Sequence, residues 1–276
     1  MSEKITLSGV PETMLQTVYA RAKETKTRGA ITDNKAVEII DRLDYDFSMA
    51  DKDAAMHSGV IARTIVLDKV VKTYLAGHGG AVVVNIACGL DTRCYRMSDY
   101  SHWYNLDLPE TIAVRDALLP AGEREKNIPC NLNDTSWFSE IDASGGAVFF
   151  AAGVFYYFLT PQVKALVCAM AEAFPGGKLV FDAANRKAVK LMLKTWLKDA
   201  EIKDVGAYFA VTDARRELSA WSDRLRVSSR GYMLGYNDLR NQNVRKFFRF
   251  LSKVGDGMMN MQIVRLDFAK ENKKHE

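Results

Sequence analysis

One stretch decides the fold of this chain: Ala81-Val-Val-Val-Asn-Ile-Ala-Cys-Gly-Leu-Asp-Thr-Arg-Cys-Tyr-Arg96. Its first six residues are apolar except for Asn85, and such a nearly continuous apolar run is typical of a parallel strand covered on both faces. Ala87, Cys88 and Gly89 then form a turn of small residues, where the backbone can pass close to a ligand. The remainder is predicted to continue as a helix. The stretch therefore indicates the first strand, loop and helix of an α/β sheet.

A second predicted strand ends in a carboxylate about twenty residues further on, in the segment His102-Trp-Tyr-Asn-Leu-Asp107. An acid in this position can accept both hydroxyl groups of a ribose. The loop and Asp107 together thus predict a site for a cofactor that contains a nucleoside. The competing interpretation is a plain structural turn, because the Gly-x-Gly-x-x-Gly pattern is absent and many α/β domains have such turns without a cofactor.

The composition is that of an ordinary globular protein. The chain has 276 residues and a net charge of +4, which is too balanced to indicate a nucleic-acid or membrane partner. No apolar segment approaches the roughly 18 residues that cross a bilayer, so we expect a cytoplasmic protein without a signal peptide. The four cysteines and four histidines show no ligand spacing, so reduced thiols and no metal site are expected.

Hydrophobic periodicity predicts helices in front of an alternating series of strands and helices. Such alternation predicts a doubly wound parallel sheet. The N-terminal helices are predicted at residues 11–26, at 33–43 with Asp33 as N-cap, and at 57–76. The predicted strands are 81–86, 102–107, 126–132, 147–152, 178–182, 225–234 and 261–268, and the helices among them are 109–119, 160–174 with Thr160 as N-cap, 186–199, 213–221 and 244–254.

A single domain is expected, because no linker or internal repeat divides the chain. Its parts are the N-terminal helices 1–80, a cofactor-binding half-sheet 81–185, and a segment 186–268 with the last strands and a helical insertion predicted to act as a lid. Residues 270–276 are polar and are expected to be disordered.

Short motifs along nearly the whole chain match one known family. The most specific is Gly89-Leu-Asp-Thr-Arg93 with Arg96. Supporting motifs are Val60-Ile-Ala-Arg63, Leu106-Asp-Leu-Pro109, and Gly153-Val-Phe-Tyr-Tyr157 followed by Thr160-Pro161-Gln162. From about residue 13 to 268 the chain resembles the leucine carboxyl methyltransferase family, which also holds bacterial O-methyltransferases related to those of polyketide biosynthesis. The resemblance implies a class I methyltransferase fold. This is a Rossmann-like, seven-stranded sheet with an antiparallel last strand, which binds S-adenosylmethionine at the carboxyl ends of its first strands.

The resemblance also implies roles for individual residues. Arg63 would pair with the methionine carboxylate of the cofactor, and Asp107 would accept the ribose hydroxyls. The implied cofactor-binding positions are Arg63, Ala87, Gly89, Asp107, Asn131, Leu132 and Ala152. Structural alternatives remain open, since Arg63 could be a surface arginine of a helix and Asp107 a solvated carboxylate at a strand end.

Three positions depart from the family pattern. Ala87 replaces a common Gly and narrows the approach of the cofactor. Asn131 replaces an Asp that meets the adenine amino group, but its side chain keeps an acceptor oxygen. Ala152 replaces a Glu that lies near the sulfonium and the α-amino group, so a carboxylate is lost. These departures support an alternative, a degenerate member without catalysis that binds a nucleoside ligand or acts as an interaction or regulatory protein.

The predicted reaction is transfer of a methyl group to a small-molecule oxygen acceptor, a carboxylate or a phenol. This transfer is an in-line displacement, so the protein mainly holds donor and acceptor aligned. A carboxylate acceptor is already ionised at neutral pH, whereas a phenol needs a base. His57, Tyr156 and Tyr157 are the candidate bases, but a lone His before a helix is more often a surface residue and such Tyr residues more often belong to the core. No catalytic residue is therefore assigned, and an ionised acceptor is favoured. Tyr156 and Tyr157 are the predicted substrate-binding residues.

Two other interpretations compete at the level of substrate and cofactor. A protein substrate belongs to the eukaryotic branch of the family, and nothing in this sequence selects it over a small metabolite. A nicotinamide-dependent dehydrogenase would share the pattern of strand, loop and acid, but the three glycines and a hydride-site His or Lys-Tyr pair are missing.

Overall fold

The computed structural model contains a seven-stranded sheet with helices on both faces. It describes residues 12–27, 29–52, 54–196, 208–232, 250 and 257–270. The strands are β1 Val82–Ile86, β2 Trp103–Asp107, β3 Glu125–Pro129, β4 Ala147–Ala151, β5 Lys178–Ala183, β6 Leu225–Gly231 and β7 Gln262–Phe268. Their order in the sheet is β3-β2-β1-β4-β5-β7-β6.

The first five strands are parallel, and β7 runs antiparallel to both of its neighbours, β5 and β6. The predicted seven-stranded sheet with an antiparallel last strand is therefore confirmed. The order of the strands along the chain reverses between β1 and β4, which lie side by side. In open α/β sheets, the carboxyl ends of the strands at such a reversal are where ligands bind.

The helices are α1 Glu12–Thr27, α2 Asn34–Arg42, α3 Ser48–Lys52, α4 Ala54–Gly77, α5 Pro109–Leu118, α6 Thr160–Ala173, α7 Arg186–Trp196 and α8 Ala214–Ser219. One face of the sheet packs against α4 and the other against α6. Both faces are thus covered, which explains why the central strands are apolar without alternation. Within the described residues, no helix is both long and apolar enough to cross a membrane.

The N-terminal helices α1 and α2 pack over the loop that follows β1. Leu15 and Val18 of α1 share a buried cluster with Ile39 of α2 and Leu90 of that loop. The predicted N-cap of α2 is confirmed, since Oδ1 of Asp33 accepts a hydrogen bond from the backbone N–H of Ala36 at 3.0 Å. The helices that precede the sheet in sequence therefore cover the end of β1 and the loop of residues 87–92 that follows it. Because the sequence predicts that this loop contacts a ligand, we call it the ligand loop.

The prediction of a helix directly after Gly89 is wrong, because the structure has only a short 3₁₀ helix in this segment, at Arg93–Arg96. The side chain of Asp91 accepts a hydrogen bond from the backbone N–H of Arg93 at 2.8 Å. The Thr92, Arg93 and Arg96 side chains bind carboxylates from other parts of the chain. Local side-chain bonds of this kind compete with a regular helix.

Two predicted boundaries also differ from the structure. Strand β3 ends at Pro129 instead of residue 132, and the chain then turns, with Oδ1 of Asn131 accepting the backbone N–H of Asn133 at 3.0 Å. The N-cap of α6 is Leu159, not Thr160, and its N–H donates to the side chain of Gln162 at 2.8 Å. Of the helix predicted at 244–254, only residue 250 is among the described residues. The tail after residue 270 and residues 197–207 of the predicted lid lie outside them.

Candidate functional site

The carboxyl ends of four neighbouring parallel strands form a partly exposed strip. The strands themselves are largely buried, whereas the chain reaches the surface where β1, β2, β3 and β4 end. The partly exposed positions are Ala87, Gly89, Asp107, Cys130, Ala152 and Gly153. The structure thus brings four predicted site positions and two of their neighbours, Cys130 and Gly153, to one edge of the sheet, at the reversal of strand order where a ligand is expected.

The loop after β1 has a left-handed backbone at two positions. The φ angles are 49° at Ala87 and 47° at Gly89. The left-handed φ favours glycine at position 89, and a Cβ atom added there would lie 3.1 Å from Sδ of Met14 in α1, so the methionine side chain would have to shift. Alanine at position 87 adopts the same conformation against its preference. The departure from glycine therefore places backbone strain directly at the ligand loop.

Replacing Ala87 by glycine is expected to leave the thermal midpoint unchanged or to raise it by roughly 2 °C. Removing the strained alanine gains about 1–2 kcal/mol, and the greater freedom of glycine in the unfolded chain offsets about 0.5–1 kcal/mol of that. Ala151→Gly is the matched control, because Ala151 is buried in the ordinary extended backbone of β4 and should lose stability. Differential scanning calorimetry measures both variants. A lower thermal midpoint for Ala87→Gly than for the wild type would contradict the strain.

The carboxylate of Asp107 is fixed against this loop. Its Oδ2 accepts the backbone N–H of Gly89 at 2.8 Å, and its Oδ1 accepts the N–H of Leu108 at 2.8 Å. Burial raises the pKa of Asp107, and the two N–H groups act in the opposite direction. The side chain of Thr111 also donates a hydrogen bond to this carboxylate, which keeps part of its lone-pair capacity for a further donor. The Asp107 carboxylate is thus held in one orientation at the loop and is not freely solvated.

Arg63 reaches from α4 to the ends of β4 and β5. Its Nη1 donates to Oδ2 of Asp182 at 2.8 Å, and its side chain is 14% exposed. Gly153, with a φ of 75°, leaves room for this guanidinium, because an added Cβ would lie 2.6 Å from Nη1. Burial alone would lower the pKa of Arg63, but the charge of Asp182 raises it above its ordinary value. Arg63 is therefore a charged group held at the strip and not a surface arginine.

Asp182 is the residue of this site that the sequence reasoning missed. It is 1% exposed, at the end of β5, and it binds Arg63, Gly153 and Tyr156. A carboxylate that ends an apolar strand was the signal used for Asp107, and the segment Lys178-Leu-Val-Phe-Asp182 carries the same signal. The position of the acid was thus visible in the sequence, although its partner was not.

The other predicted site residues are placed in different surroundings. Asn131 is exposed and its side chain is used in the turn after β3, whereas Leu132 next to it is buried. Tyr157 is partly buried, and burial raises its pKa. Tyr156 is buried, and its hydroxyl donates to Oδ2 of Asp182 at 3.0 Å. His57 is buried on α4 with Nε2 2.8 Å from Oε2 of Glu24 on α1, so this imidazole already has an acidic partner.

The motif Asp91-Thr-Arg93 with Arg96 joins the ligand loop to the N-terminal helices. Arg93 Nε donates to Oδ1 of Asp68 on α4 at 2.6 Å, and Arg96 Nε donates to Oδ2 of the same carboxylate at 2.9 Å. The hydroxyl of Thr92 donates to Asp33 at 2.6 Å. Arg21 of α1 binds Asp33 as well, and it also donates to the carbonyl oxygen of Leu90. We call these residues, Arg21, Asp33, Asp68, Asp91, Thr92, Arg93 and Arg96, the loop clamp.

The loop clamp is expected to make the stability of the protein fall at acidic pH. Burial alone would raise the pKa of Asp91, but Arg93, Arg21 and Arg96 lower it to about 2. Because the folded pKa is depressed, the ionised carboxylate stabilises the fold above the unfolded value of about 4, and this contribution is lost as the pH falls towards 2. The difference in unfolding free energy between the wild type and Asp91→Asn should therefore shrink by about 1 kcal/mol from pH 5 to pH 3.

Urea unfolding at the two pH values measures this difference. Asp223→Asn is the control, because Asp223 lies on an exposed turn before β6. Its difference from the wild type should stay constant between the two pH values. A constant difference for Asp91→Asn would show that the ion pairs of the loop clamp do not depress this carboxyl pKa.

Comparison with known proteins agrees with the motifs in the sequence. The family model for leucine carboxyl methyltransferases matches residues 14–171, which is more than half of the chain. The chain belongs to the leucine carboxyl methyltransferase family. It is 33% identical over 189 residues to the tetracenomycin polyketide synthesis O-methyltransferase TcmP of Streptomyces glaucescens, which covers 66% of this chain and 69% of that protein. The family expected from the sequence is thus confirmed.

Two more relatives support the same enzyme class and fold. The S-adenosyl-L-methionine-dependent methyltransferase dpfgK of Gibberella zeae is 24% identical over 276 residues, covering 92% of each chain. A solved candidate methyltransferase from Thermobifida fusca shares the fold, with a TM-score of 0.56, 15% identity, and coverage of 96% of this chain and 100% of that one. As a family member, the protein is a methyltransferase that depends on S-adenosylmethionine.

The strand ends fit this cofactor in two respects. Asp107 offers an oriented carboxylate at the end of β2, and Arg63 offers N–H donors at the end of β4. Between them the loop at Ala87 and Gly89 and the residues Ala152 and Gly153 carry only small side chains or none. An acid acceptor, a small-residue floor and a cation thus follow one another along the strip.

Proposed function

We propose that the strip holds S-adenosylmethionine and that the enzyme transfers its methyl group to an oxygen atom of a small molecule. Asp107 accepts the ribose hydroxyls, and Arg63 binds the methionine carboxylate. The backbone at Ala87 and Gly89 and the methyl group of Ala152 lie along the methionine portion, while Asn131 and Leu132 contact the adenine. The cofactor supplies a methyl group made electrophilic by its sulfonium. The observation that carries the proposal is the Asp107 carboxylate, fixed by two N–H groups at the small-residue loop.

The titratable groups near Arg63 favour a methyl acceptor that is already ionised. Asp182 accepts three hydrogen bonds and has little capacity left for a substrate proton. Burial, with Asp182 beside it, raises the pKa of Tyr156 well above its ordinary value, and burial also raises that of Tyr157. Neither tyrosine can therefore act readily as a base at neutral pH. A substrate carboxylate needs no base, so we propose it ahead of a phenol.

A cluster of aromatic and methionine side chains packs around Tyr156, whose hydroxyl binds Asp182, and we place the substrate beside this cluster. Tyr157 packs with a cluster around Tyr156, Ala184 and Leu193. Further partly buried members of that cluster are Met192, Tyr208, Ala210, Met259 and Met261. Rigid rings and adaptable thioethers suit a flat apolar ligand. The name of the Streptomyces glaucescens relative, a polyketide synthesis O-methyltransferase, supports oxygen as the accepting atom. We propose a small cytoplasmic metabolite, and not a nucleic acid, as the substrate.

Transfer of a labelled methyl group tests the proposal. The protein is incubated with methyl-labelled S-adenosylmethionine and pairs of aromatic compounds that differ only in bearing a carboxylate or a phenol. We expect labelled methyl esters, which release volatile methanol in mild alkali, and no labelled ethers. Asp107→Ala serves as the control and should abolish the label. Alkali-stable label on the phenols would assign the alternative oxygen acceptor instead.

A further inference from the structure

Asp182 is a buried carboxylate with a complete set of hydrogen-bond donors. Its Oδ1 accepts the backbone N–H of Gly153 at 2.6 Å, and its Oδ2 accepts Nη1 of Arg63 at 2.8 Å and the hydroxyl of Tyr156 at 3.0 Å. A buried charge is tolerated only when it is paired and hydrogen-bonded in this way. A residue with such an arrangement fixes the groups around it.

Asp182 lies beside the position where the family carboxylate is missing. Strands β4 and β5 are parallel neighbours, and Ala151 pairs with Phe181, so Ala152 and Asp182 follow at adjacent positions. Phe150 and Val180, two residues before them, both pack against α4. Because side chains alternate along a strand, Ala152 and Asp182 point to that same face. The carboxylate absent from the end of β4 is thus present at the end of β5, about 5 Å away.

We propose that Asp182 is a positioning residue for the cofactor, which holds the Arg63 guanidinium at the end of β4 with its remaining N–H groups directed at the methionine carboxylate. This inference rests on the proposed function, because it requires the cofactor to lie along the strip. Among the described residues, Asp182 is the one hydrogen-bond partner of Arg63. The described residues thus leave the other N–H groups of the guanidinium for a ligand, and the planar fork of arginine matches a carboxylate.

The value of this arrangement is that Arg63 is ordered before the cofactor arrives. A free arginine side chain loses rotamer freedom when it binds a ligand, and an anchored one has already lost it. Gly153 helps to order Arg63 in two ways. Its lack of a Cβ leaves space for the guanidinium, and its backbone N–H donates a hydrogen bond to Asp182. Position 152 can then be alanine without leaving Arg63 unanchored.

Calorimetric titration with two ligands separates this role from a merely structural one. S-adenosylhomocysteine carries the amino-acid portion, and methylthioadenosine lacks it. We expect Asp182→Asn to weaken S-adenosylhomocysteine about 30-fold and to leave methylthioadenosine within about twofold of the wild type, since only the first ligand uses Arg63. In the Arg63→Ala background, adding Asp182→Asn should cost no more than about twofold further, because the two residues act as a unit.

Gly153→Ala provides a second variant that leaves the carboxylate intact. Its new Cβ would displace the guanidinium from Asp182, so it should cause the same selective loss of S-adenosylhomocysteine. Equal weakening of both ligands by Asp182→Asn, or losses that multiply in the double variant, would overturn the positioning role. A folded wild type that binds neither ligand would instead overturn the proposed function, and the positioning role with it.

Discussion

Replacing Asp107 by alanine is expected to weaken the binding of S-adenosylhomocysteine about 100-fold. The variant loses two charge-assisted hydrogen bonds to the ribose, each worth about 1.5–3 kcal/mol, and part of this is offset because the empty place admits water. The carboxylate is already oriented by the N–H groups of Gly89 and Leu108, so ordering this side chain when the ligand binds costs little entropy in the wild type. Asp107→Asn keeps one acceptor oxygen and should lose only about tenfold. Isothermal titration calorimetry measures all three proteins.

The matched control for this effect is Asp142→Ala. Asp142 is exposed and precedes β4, at the opposite edge of the sheet. It should leave the affinity unchanged, and the melting curves should show that both variants are folded. Equal affinities of Asp107→Ala and the wild type would show that Asp107 does not bind the ribose and that the nucleoside lies elsewhere.

Replacing Arg93 by alanine is expected to cause the largest loss of stability, about 3–5 kcal/mol, or on the order of 10 °C in the thermal midpoint. Arg93 is 2% exposed, forms a salt bridge with Asp68 at 2.6 Å, pairs with Asp91, and lies over the ring of Phe150 at 4.9 Å. Its removal takes the main cation from the carboxylate of Asp91 and, among the described residues, leaves the carboxylate of Asp68 paired with Arg96 alone. It also leaves a cavity under the ligand loop.

Arg226→Ala is the control for the loss of an arginine as such. Arg226 is exposed on β6, and its truncation should change the unfolding free energy by less than about 0.5 kcal/mol. Urea unfolding compares the two variants. If Arg93→Ala unfolded at the same urea concentration as Arg226→Ala, the loop clamp would not hold the N-terminal helices to the sheet.

The order of helices and strands could be predicted because buried segments show clear patterns of apolar residues in the sequence. Strands β1, β4 and β5 are covered on both faces, so each is a nearly continuous apolar run that ends where the chain reaches the surface. The helix expected after Gly89 failed because its residues are engaged by tertiary ion pairs. Periodicity shows which face of a segment is apolar, but it does not show which distant carboxylate will bind Arg93.

The candidate site could be predicted where one short segment contains the whole signal. Asp107 is the last residue of β2, and its side chain binds the loop after the neighbouring strand β1. The strand, the loop and the acid therefore follow one another within one short stretch of sequence. Asp182 was not predicted as a site residue, because its place in the site depends on its contact with Arg63, which lies 119 residues earlier in the chain. The motif at residues 89–96 was singled out by resemblance alone, and the structure now gives it a physical role in the loop clamp.

The most direct test of the account is a calorimetric titration of the wild-type protein with S-adenosylhomocysteine. The central claim is that the strip at the carboxyl ends of the strands still holds the cofactor, although alanine stands at position 152. The account expects a single site with a low-micromolar dissociation constant, weakened by Asp107→Ala and by Arg63→Ala. No measurable binding to a protein that melts cooperatively would contradict the claim.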